Sequence, residues 1–370
     1  MAQPLRILLL IPHLGGGGAE QVTTLLARGL SREKYELHLG LITQPDAGAA
    51  QLPPWVVIHP LGATRVRAAA FKLLRLVRRL RPGVILSGIA HVNFLVLLLR
   101  PFFPRGTRVL VRQNATVSAA LAFGGLPSFT GLLYRLLYRR ADRIICQSRA
   151  MAEDLASQLD IGSDLISVLP NPVDLEGIRA VQSDSEQWAG PGPHLLAVGR
   201  LAPEKGFDLL LRALAGVRQN FPQADLFIAG AGPEEAALKA QCRSLGLEAA
   251  VRFAGRVDCP YVFFPGATLF VLSSRHEGMP NALLEAAAAG LPIVALPASG
   301  GVVDLLRGRP GAWLAHEVSA DALSASLHAA LVALRPGQRF HHQFSSRREP
   351  AIPQSVALPP SNLERAKVEG

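Results

Sequence analysis

The chain has 370 residues, 49% hydrophobic and 18% charged, with 38 Lys+Arg against 28 Asp+Glu. That length accommodates about two domains with sizeable cores, and the apolar content excludes intrinsic disorder for the bulk of the chain. The formal net charge of +10 is uneven: residues 1–170 hold 20 basic and 9 acidic side chains, whereas residues 171–370 hold 18 and 19.

Short apolar runs alternate with stretches of helical period along almost the whole chain. Leu5–Ile11 reads as a strand and Ala19–Leu30 as the helix after it. Strands Tyr35–Ile42 and Val56–His59 follow, then a helix over Arg67–Leu80 and a strand over Val84–Ser87. The most apolar stretch, Val84–Leu99, is interrupted by Ser87, His91 and Asn93. It reads as a buried strand plus a buried helix, because a membrane span needs about 20 residues. Ile7–Ile11 is too short for the apolar region of a signal peptide, so none is expected. Arg108–Arg112, Arg143–Cys146 and Ile166–Leu169 complete the first series, with a helix over Ser148–Leu159.

Residues Val173–Pro193 are polar, with Gly and Pro and little apolar periodicity, and read as a connection. A second series then begins: His194–Val198, Asp225–Ala229, Val251–Ala254, Leu269–Leu272, Ile293–Ala295 and Ala312–Leu314. Helices over Asp208–Gln219, Glu234–Leu245 and Ala282–Gly290 separate most of them. Continuous apolar strands alternating with helices predict parallel sheets covered on both faces, here twice over. The expected division is an α/β domain over 1–172, a linker over 173–193 and a second α/β domain over 194–335. From 336 to 370 the prolines 336, 350, 353, 359 and 360 break every helical pattern, and no structure is expected.

Cys146, Cys242 and Cys259 are odd in number, widely spaced and form no C-x-x-C. That argues against a disulfide framework or a zinc cluster and fits a reducing compartment.

Three segments could carry chemistry, and each follows a strand. The first is Gly15-Gly16-Gly17-Gly18-Ala19-Glu20, which opens a helix. Its glycines let the backbone approach a ligand, and the helix presents free N–H groups to an anion. It lacks the Gly-Lys-Ser/Thr of a P-loop and the third glycine of the dinucleotide fingerprint, so a nicotinamide dehydrogenase is disfavoured. A tight strand-to-helix turn is the alternative reading. The second is Gly199–Gly206, in which Arg200 and Lys205 could converge on one anion, or simply be solvated. The third is Ser273–Glu285. Glu277 and Glu285 lie eight residues apart across a loop and helix, so both can face one cleft. Glu285 interrupts an apolar run, where an unpaired carboxylate is costly and needs a partner such as ribose hydroxyls. A capping Glu277 and a satisfied structural Glu285 form the alternative.

Taken together, in order and at this spacing, the Gly-rich loop, the G-R-L-x-x-x-K-G segment and the E-x7-E segment resemble retaining glycosyltransferase family 4, of the GT-B fold. Ala141–Ser148, Asn171–Asp174 and Val257–Tyr261 support the likeness, which runs from about Leu5 to Leu334. The resemblance implies two Rossmann-like doubly wound domains facing across a cleft, with a nucleotide-diphosphate sugar held mainly by the C-terminal one. It implies that Arg200 and Lys205 neutralise the diphosphate and that Glu285 binds the ribose. Glu277, with the backbone of Gly278, Met279, Pro280, Asn281, Ala282, Leu283 and Leu284, would position the donor sugar and phosphates. Gly16, Gly17 and Gly18 would approach the donor from the other domain. Neither a cofactor nor a bound metal is implied, and no Asp-x-Asp ends a strand. The implied chemistry is front-face substitution at the anomeric carbon, the departing phosphate oxygen taking the acceptor's proton.

Where many relatives place a cleft histidine, this chain reads Arg112-Gln113-Asn114. Arg112 and Asn114 are candidates for donor or acceptor contacts, followed by His13 and His91. The resemblance implies a closing C-terminal helix that packs on the N-terminal domain; the Pro-rich ending does not look like one, and weaker domain closure and activity are the expectation.

No carboxylate lies between Asp46 and Asp142, a stretch with fourteen cationic side chains. Thr64–Pro82 carries Arg65, Arg67, Lys72, Arg75, Arg78, Arg79 and Arg81 interleaved with apolar residues, and Leu132–Arg143 repeats the character with Arg135, Arg139 and Arg140. Basic amphipathic helices of this kind lie on anionic membranes, unless they are packed helices with a cationic outer face. Nucleic acid is a poorer match, since no recognition motif appears. The expectation is therefore a cytoplasmic glycosyltransferase, peripheral at the inner face of the membrane, acting on a lipid-linked, lipopolysaccharide or surface-polysaccharide acceptor. A glycosyltransferase-like protein that binds nucleotide or partner with little turnover is the alternative.

Overall fold

The twofold alternation of strand and helix produces two parallel sheets. The computed structural model describes residues 3–15, 17–123, 130–181, 188 and 190–342. The first half contains strands β1 (Leu5–Ile11), β2 (Tyr35–Leu41), β3 (Val57–Pro60), β4 (Val84–Ser87), β5 (Arg108–Arg112), β6 (Arg143–Cys146) and β7 (Ile166–Val168). Its helices are α1 (Gly18–Gly29), α2 (Ala70–Leu80), α3 (Ala90–Leu99), α4 (Val117–Phe123), α5 (Thr130–Tyr138) and α6 (Arg149–Leu159). The seven strands pair in the order β3-β2-β1-β4-β5-β6-β7. β1 explains why: Leu8 and Leu10 enter the core shared with α2, α3, α5 and α6, while Ile7, Leu9 and Ile11 enter the core against α1. A strand apolar on both faces is stable only between two helical layers.

The second half begins with α7 (Leu175–Ala180) and continues through β8 (His194–Val198), α8 (Phe207–Val217), β9 (Asp225–Ala229), α9 (Glu235–Ser244), β10 (Val251–Gly255) and β11 (Leu269–Leu272). It ends with α10 (Asn281–Ala288), β12 (Ile293–Ala295), α11 (Gly300–Leu306), β13 (Ala312–Leu314) and α12 (Ala320–Ala333). The strands form a six-stranded parallel sheet in the order β10-β9-β8-β11-β12-β13. Strand order reverses between β1 and β4 in one sheet and between β8 and β11 in the other. In open α/β sheets such a reversal opens a crevice beyond the C-terminal strand ends, where ligands bind. All three motif segments lie at these two crevices.

Two stretches hold more structure than their composition indicates. Within 173–193, Asp174 caps α7 by accepting from Gly177 N–H at 2.8 Å, and Ile178, Val181 and Trp188 pack on the C-terminal core. The connection therefore rides on the second domain. Residues 336–342, read as the start of an unstructured ending, are anchored too. Phe340 N–H donates to Gly290 O at 2.8 Å, and the Arg339 guanidinium reaches the carbonyls of Pro265 (2.8 Å) and Ala267 (3.1 Å). Single anchors of this kind leave no periodic trace. The rest of that expectation, 343–370, lies outside the described residues. α12 packs on α8 of its own domain. Among the described residues no helix is long and apolar enough to cross a membrane.

Candidate active site

The loops after β8 and β11 are tied to each other. After β8 a 3-10 turn, Pro203–Lys205, ends at Gly206 with φ +62°, a left-handed conformation that favours glycine. A Cβ at Gly206 would also lie 2.1 Å from Ser273 O. Ser273 Oγ donates to Lys205 O at 2.9 Å, and Arg275 N–H to Glu204 O at 2.8 Å. Arg275 then grips Asp208 with two bonds of 2.7 Å. This two-point guanidinium–carboxylate pairing fixes the relative position of the loops.

The result is that Lys205 Nζ meets Glu277 Oε1 at 2.6 Å, and Ser274 Oγ donates to the same oxygen at 2.6 Å. The Glu277 side chain is only 9% exposed and that of Lys205 25%. Just beyond lies the N-terminus of α10, whose Pro280 cap supplies no side-chain acceptor and whose first turn holds no acid. Its unpaired N–H groups and the Lys205 ammonium are the groups here that could receive a phosphate-bearing ligand. Arg200, expected beside Lys205, is instead turned outward, 66% exposed, and donates to Glu204 at 2.6 Å.

Glu285 is 4% exposed on α10. Gln21 Nε2, from α1 of the other domain, donates to its Oε1 at 2.6 Å, and Tyr261 OH lies 3.3 Å from the same oxygen. Burial pushes the Glu285 carboxyl up to about 7, opposed by the bonds from Gln21 and Tyr261 and reinforced by the Asp174 carboxylate. The folded protein thus keeps a proton that the unfolded chain releases near pH 4.5. The stability this contributes is complete below pH 4.5 and is lost as pH rises through about 7, an effect of about 3 kcal/mol at most. Urea-unfolding midpoints are expected to fall with pH across that window in the wild type, and to fall less steeply in Glu285→Gln. Parallel profiles would contradict the assignment.

Several of the remaining predicted residues lie at a seam between the domains. Asn281 Nδ2 donates to Gly18 O at 3.0 Å. Asn171 Nδ2 donates to Met279 O at 3.2 Å and also bonds Asn281 Oδ1, while Asn171 Oδ1 accepts from Arg112. Asn114 donates to Gly88 O and accepts from Gln147 Nε2 at 2.9 Å. Gly278 lies against Asn114 O, 2.1 Å from where a Cβ would stand. Gly17 precedes α1 as its cap, and Gly16 lies outside the described residues. Leu283 and Ala282 turn into the C-terminal core, so only their backbone is available to a ligand. His13 is exposed, accepting from Gly15 N–H at 3.1 Å, with Glu20 3.7 Å away. His91 is exposed on α3.

Sequence reasoning assigned no role to Gln21, Ser274, Gln147 or Tyr261. Ser274 precedes Glu277 by three residues and was open to that inference. Gln21 and Tyr261 are brought to Glu285 by tertiary packing, which leaves no local signal.

Comparison with known proteins agrees with this architecture. The family description "Glycosyltransferase Family 4" matches residues 16–176, and "Glycosyl transferases group 1" matches residues 179–333. A similar curated protein is the N-acetylgalactosamine-N,N'-diacetylbacillosaminyl-diphospho-undecaprenol 4-alpha-N-acetylgalactosaminyltransferase of Campylobacter jejuni. It is 29% identical over 309 residues, covering 80% of this chain and 82% of the relative. The lipopolysaccharide core biosynthesis glycosyltransferase LpsE of Rhizobium meliloti is 29% identical over 65% of this chain and 66% of its own. Among solved structures, Anabaena HepE in complex with UDP and glucose superposes with a TM-score of 0.73 at 19% identity, over 89% of this chain and 90% of that one. The sucrose-phosphate synthase of Thermosynechococcus elongatus gives 0.75 at 18% identity, over 99% of both chains.

Proposed function

The chain belongs to the group 1 glycosyltransferases of family 4 type and GT-B fold, and from that premise we propose that it moves a sugar, with retention of configuration, from a nucleotide-diphosphate donor to a lipid-linked or surface-glycan acceptor. The observation that carries this reading is the Lys205–Glu277–Ser274 cluster beside the uncapped start of α10. A departing diphosphate develops negative charge, and a fixed ammonium with aligned N–H groups stabilises it where the charge appears. Glu277 holds Lys205 in place and offers its second oxygen to sugar hydroxyls. Glu285, buried beside Tyr261, suits a ribose diol. The departing phosphate oxygen takes the acceptor's proton, so no side chain need act as nucleophile. The charge is met by Lys205 and backbone dipoles, and transfer is expected to survive EDTA.

The acceptor class is supported by the two relatives above, one named for a diphospho-undecaprenol-linked sugar acceptor and the other for lipopolysaccharide core biosynthesis. The test is incubation with UDP- and GDP-sugars and a lipid-linked saccharide acceptor, with product anomers read by NMR. An α-linked product from an α-linked donor is expected. An inverted product would overturn the mechanism, and nucleotide binding without any transfer would favour the non-catalytic reading.

We further propose that the enzyme docks on anionic membrane. α2 and α5 bury Leu73, Leu76, Val77, Tyr134 and Leu137 against α3 and the sheet, leaving Arg75, Arg78, Arg79, Arg135, Arg139 and Arg140 exposed. Phe71, Leu98, Phe102, Leu132 and Leu136 are exposed on the same helical layer. Each cation near such a surface contributes about 1 kcal/mol. Sedimentation with phosphatidylserine or cardiolipin vesicles at low salt, and release by salt, are expected; full recovery in the supernatant at low salt would sink the idea.

A further inference from the structure

Arg112 ends β5 beneath the seam and is 4% exposed. It donates to Asn171 Oδ1, and its Nε–H has no partner. Among the described residues no carboxylate lies within ion-pairing distance of it. A guanidinium removed from water with no counter-charge is costly to keep, and its rigid fork of five donors matches phosphate oxygens. Arg112 also lines a recess whose walls are largely aliphatic (Leu9, Leu10, Val22, Leu26 and Leu86), and its guanidinium is the one charged group there, beside the polar side chains of Asn114 and Thr23. The recess lies at the crevice between β1 and β4, where the strand order reverses.

We propose that Arg112 receives a phosphate or diphosphate oxyanion of the acceptor substrate, making the floor of the N-terminal crevice an anion subsite distinct from the Lys205 site. The assignment rests on the glycosyltransferase reading, in which Lys205 and α10 serve the donor from the other domain. As it stands the recess is about 10 Å³, the room of one water, so a phosphate enters only when the seam parts. Asn171 is the bridge that would let go, since it joins Arg112 to Met279 and Asn281 of the C-terminal domain. In the seam as built, the Asn171 carboxamide oxygen occupies one of the guanidinium donors that the oxyanion would take. The Glu20 carboxylate of α1 is engaged near His13 and does not line the recess.

The test measures binding of farnesyl diphosphate, as a lipid diphosphate, and of UDP to the full-length wild type, Arg112→Gln, Arg112→Lys and Lys205→Ala. Farnesyl diphosphate is expected to bind at least tenfold more weakly to Arg112→Gln, with partial recovery in Arg112→Lys and no change in Lys205→Ala. UDP affinity is expected to fall in Lys205→Ala alone. Loss of UDP binding in Arg112→Gln with farnesyl diphosphate unaffected would place the guanidinium on the donor instead and overturn the proposal. Unchanged affinities in a folded Arg112→Gln protein would leave it a structural residue and overturn it equally. Thermal unfolding reports whether Arg112→Gln folds, and should it not, Arg112→Lys carries the comparison, a loss of farnesyl diphosphate affinity under threefold counting against the subsite. Wild-type protein that binds farnesyl diphosphate through Arg112 but no nucleotide would remove the donor reading and leave the subsite standing.

Discussion

Replacing Lys205 by Ala is expected to reduce sugar transfer by about 10²–10³-fold, the loss typical of removing one fixed donor from a developing oxyanion. The ammonium stands at the end of a 3-10 turn whose geometry is locked by Gly206, by Ser273 Oγ on Lys205 O and by Arg275 on Pro203, Glu204 and Asp208. Its position is therefore prepared before substrate arrives, and no reorganisation is needed as charge develops. Glu277→Gln keeps the shape and still accepts from Ser274 and Lys205, yet removes the charge that orients the ammonium. Its expected loss is about 10²-fold. The two residues share one contact of 2.6 Å, so the double variant should lose less than the product of the single losses. Lys205→Ala also leaves Glu277 with Ser274 as its remaining side-chain partner, at a cost on the order of 1–3 kcal/mol in stability. Turnover must accordingly be measured at a temperature where circular dichroism shows every variant folded. Activity within about threefold of wild type in either single variant would remove these residues from the reaction.

Both sheets were legible because their strands are apolar on both faces. Leu5–Ile11, Val84–Ser87, Arg108–Arg112 and Asp225–Ala229 stand in the structure at the bounds their composition predicts. Glu285 was legible as a residue in need of a partner, since a carboxylate in an apolar run cannot stay unpaired. The partner itself was not legible: Gln21 lies 264 residues away, on a helix that meets α10 only when two domains come together. Arg200 shows another limit. Spacing puts it in one loop with Lys205, but spacing is silent on which way a turn throws each side chain. The left-handed Gly206 sends Lys205 toward Glu277, while Arg200 finds Glu204 at i+4. The anchors of residues 336–342 escaped notice for a related reason. One phenylalanine, one arginine and one histidine, His342 with its ring nitrogen 2.9 Å from Leu291 O, hold them, and none repeats.

Gly278→Ala is expected to lower transfer by at least about 10²-fold by keeping the domains apart, on the rule that small misplacements of reacting groups cost that much. A Cβ at this position would stand 2.1 Å from the backbone oxygen of Asn114, which belongs to the opposite domain. Asn114 lies in the loop just after β5, and its side chain is held by Gly88 O and Gln147 Nε2, so the methyl group is expected to push the domains open rather than displace that carbonyl. Gly18 gives the contrast, because its nearest obstacle is the flexible Asn281 Nδ2 at 3.3 Å, and Gly18→Ala should keep most activity. Opening at Gly278 would also strain the bonds from Asn171 to Met279 and from Gln21 to Glu285, which bridge the same seam. UDP affinity is expected to change by less than about threefold, since the obstruction comes from the N-terminal domain and the donor loops stay intact. Small-angle scattering should report a larger radius of gyration for Gly278→Ala than for Gly18→Ala. A Gly278→Ala enzyme with wild-type turnover and an unchanged radius would show that transfer does not require this approach of the two domains.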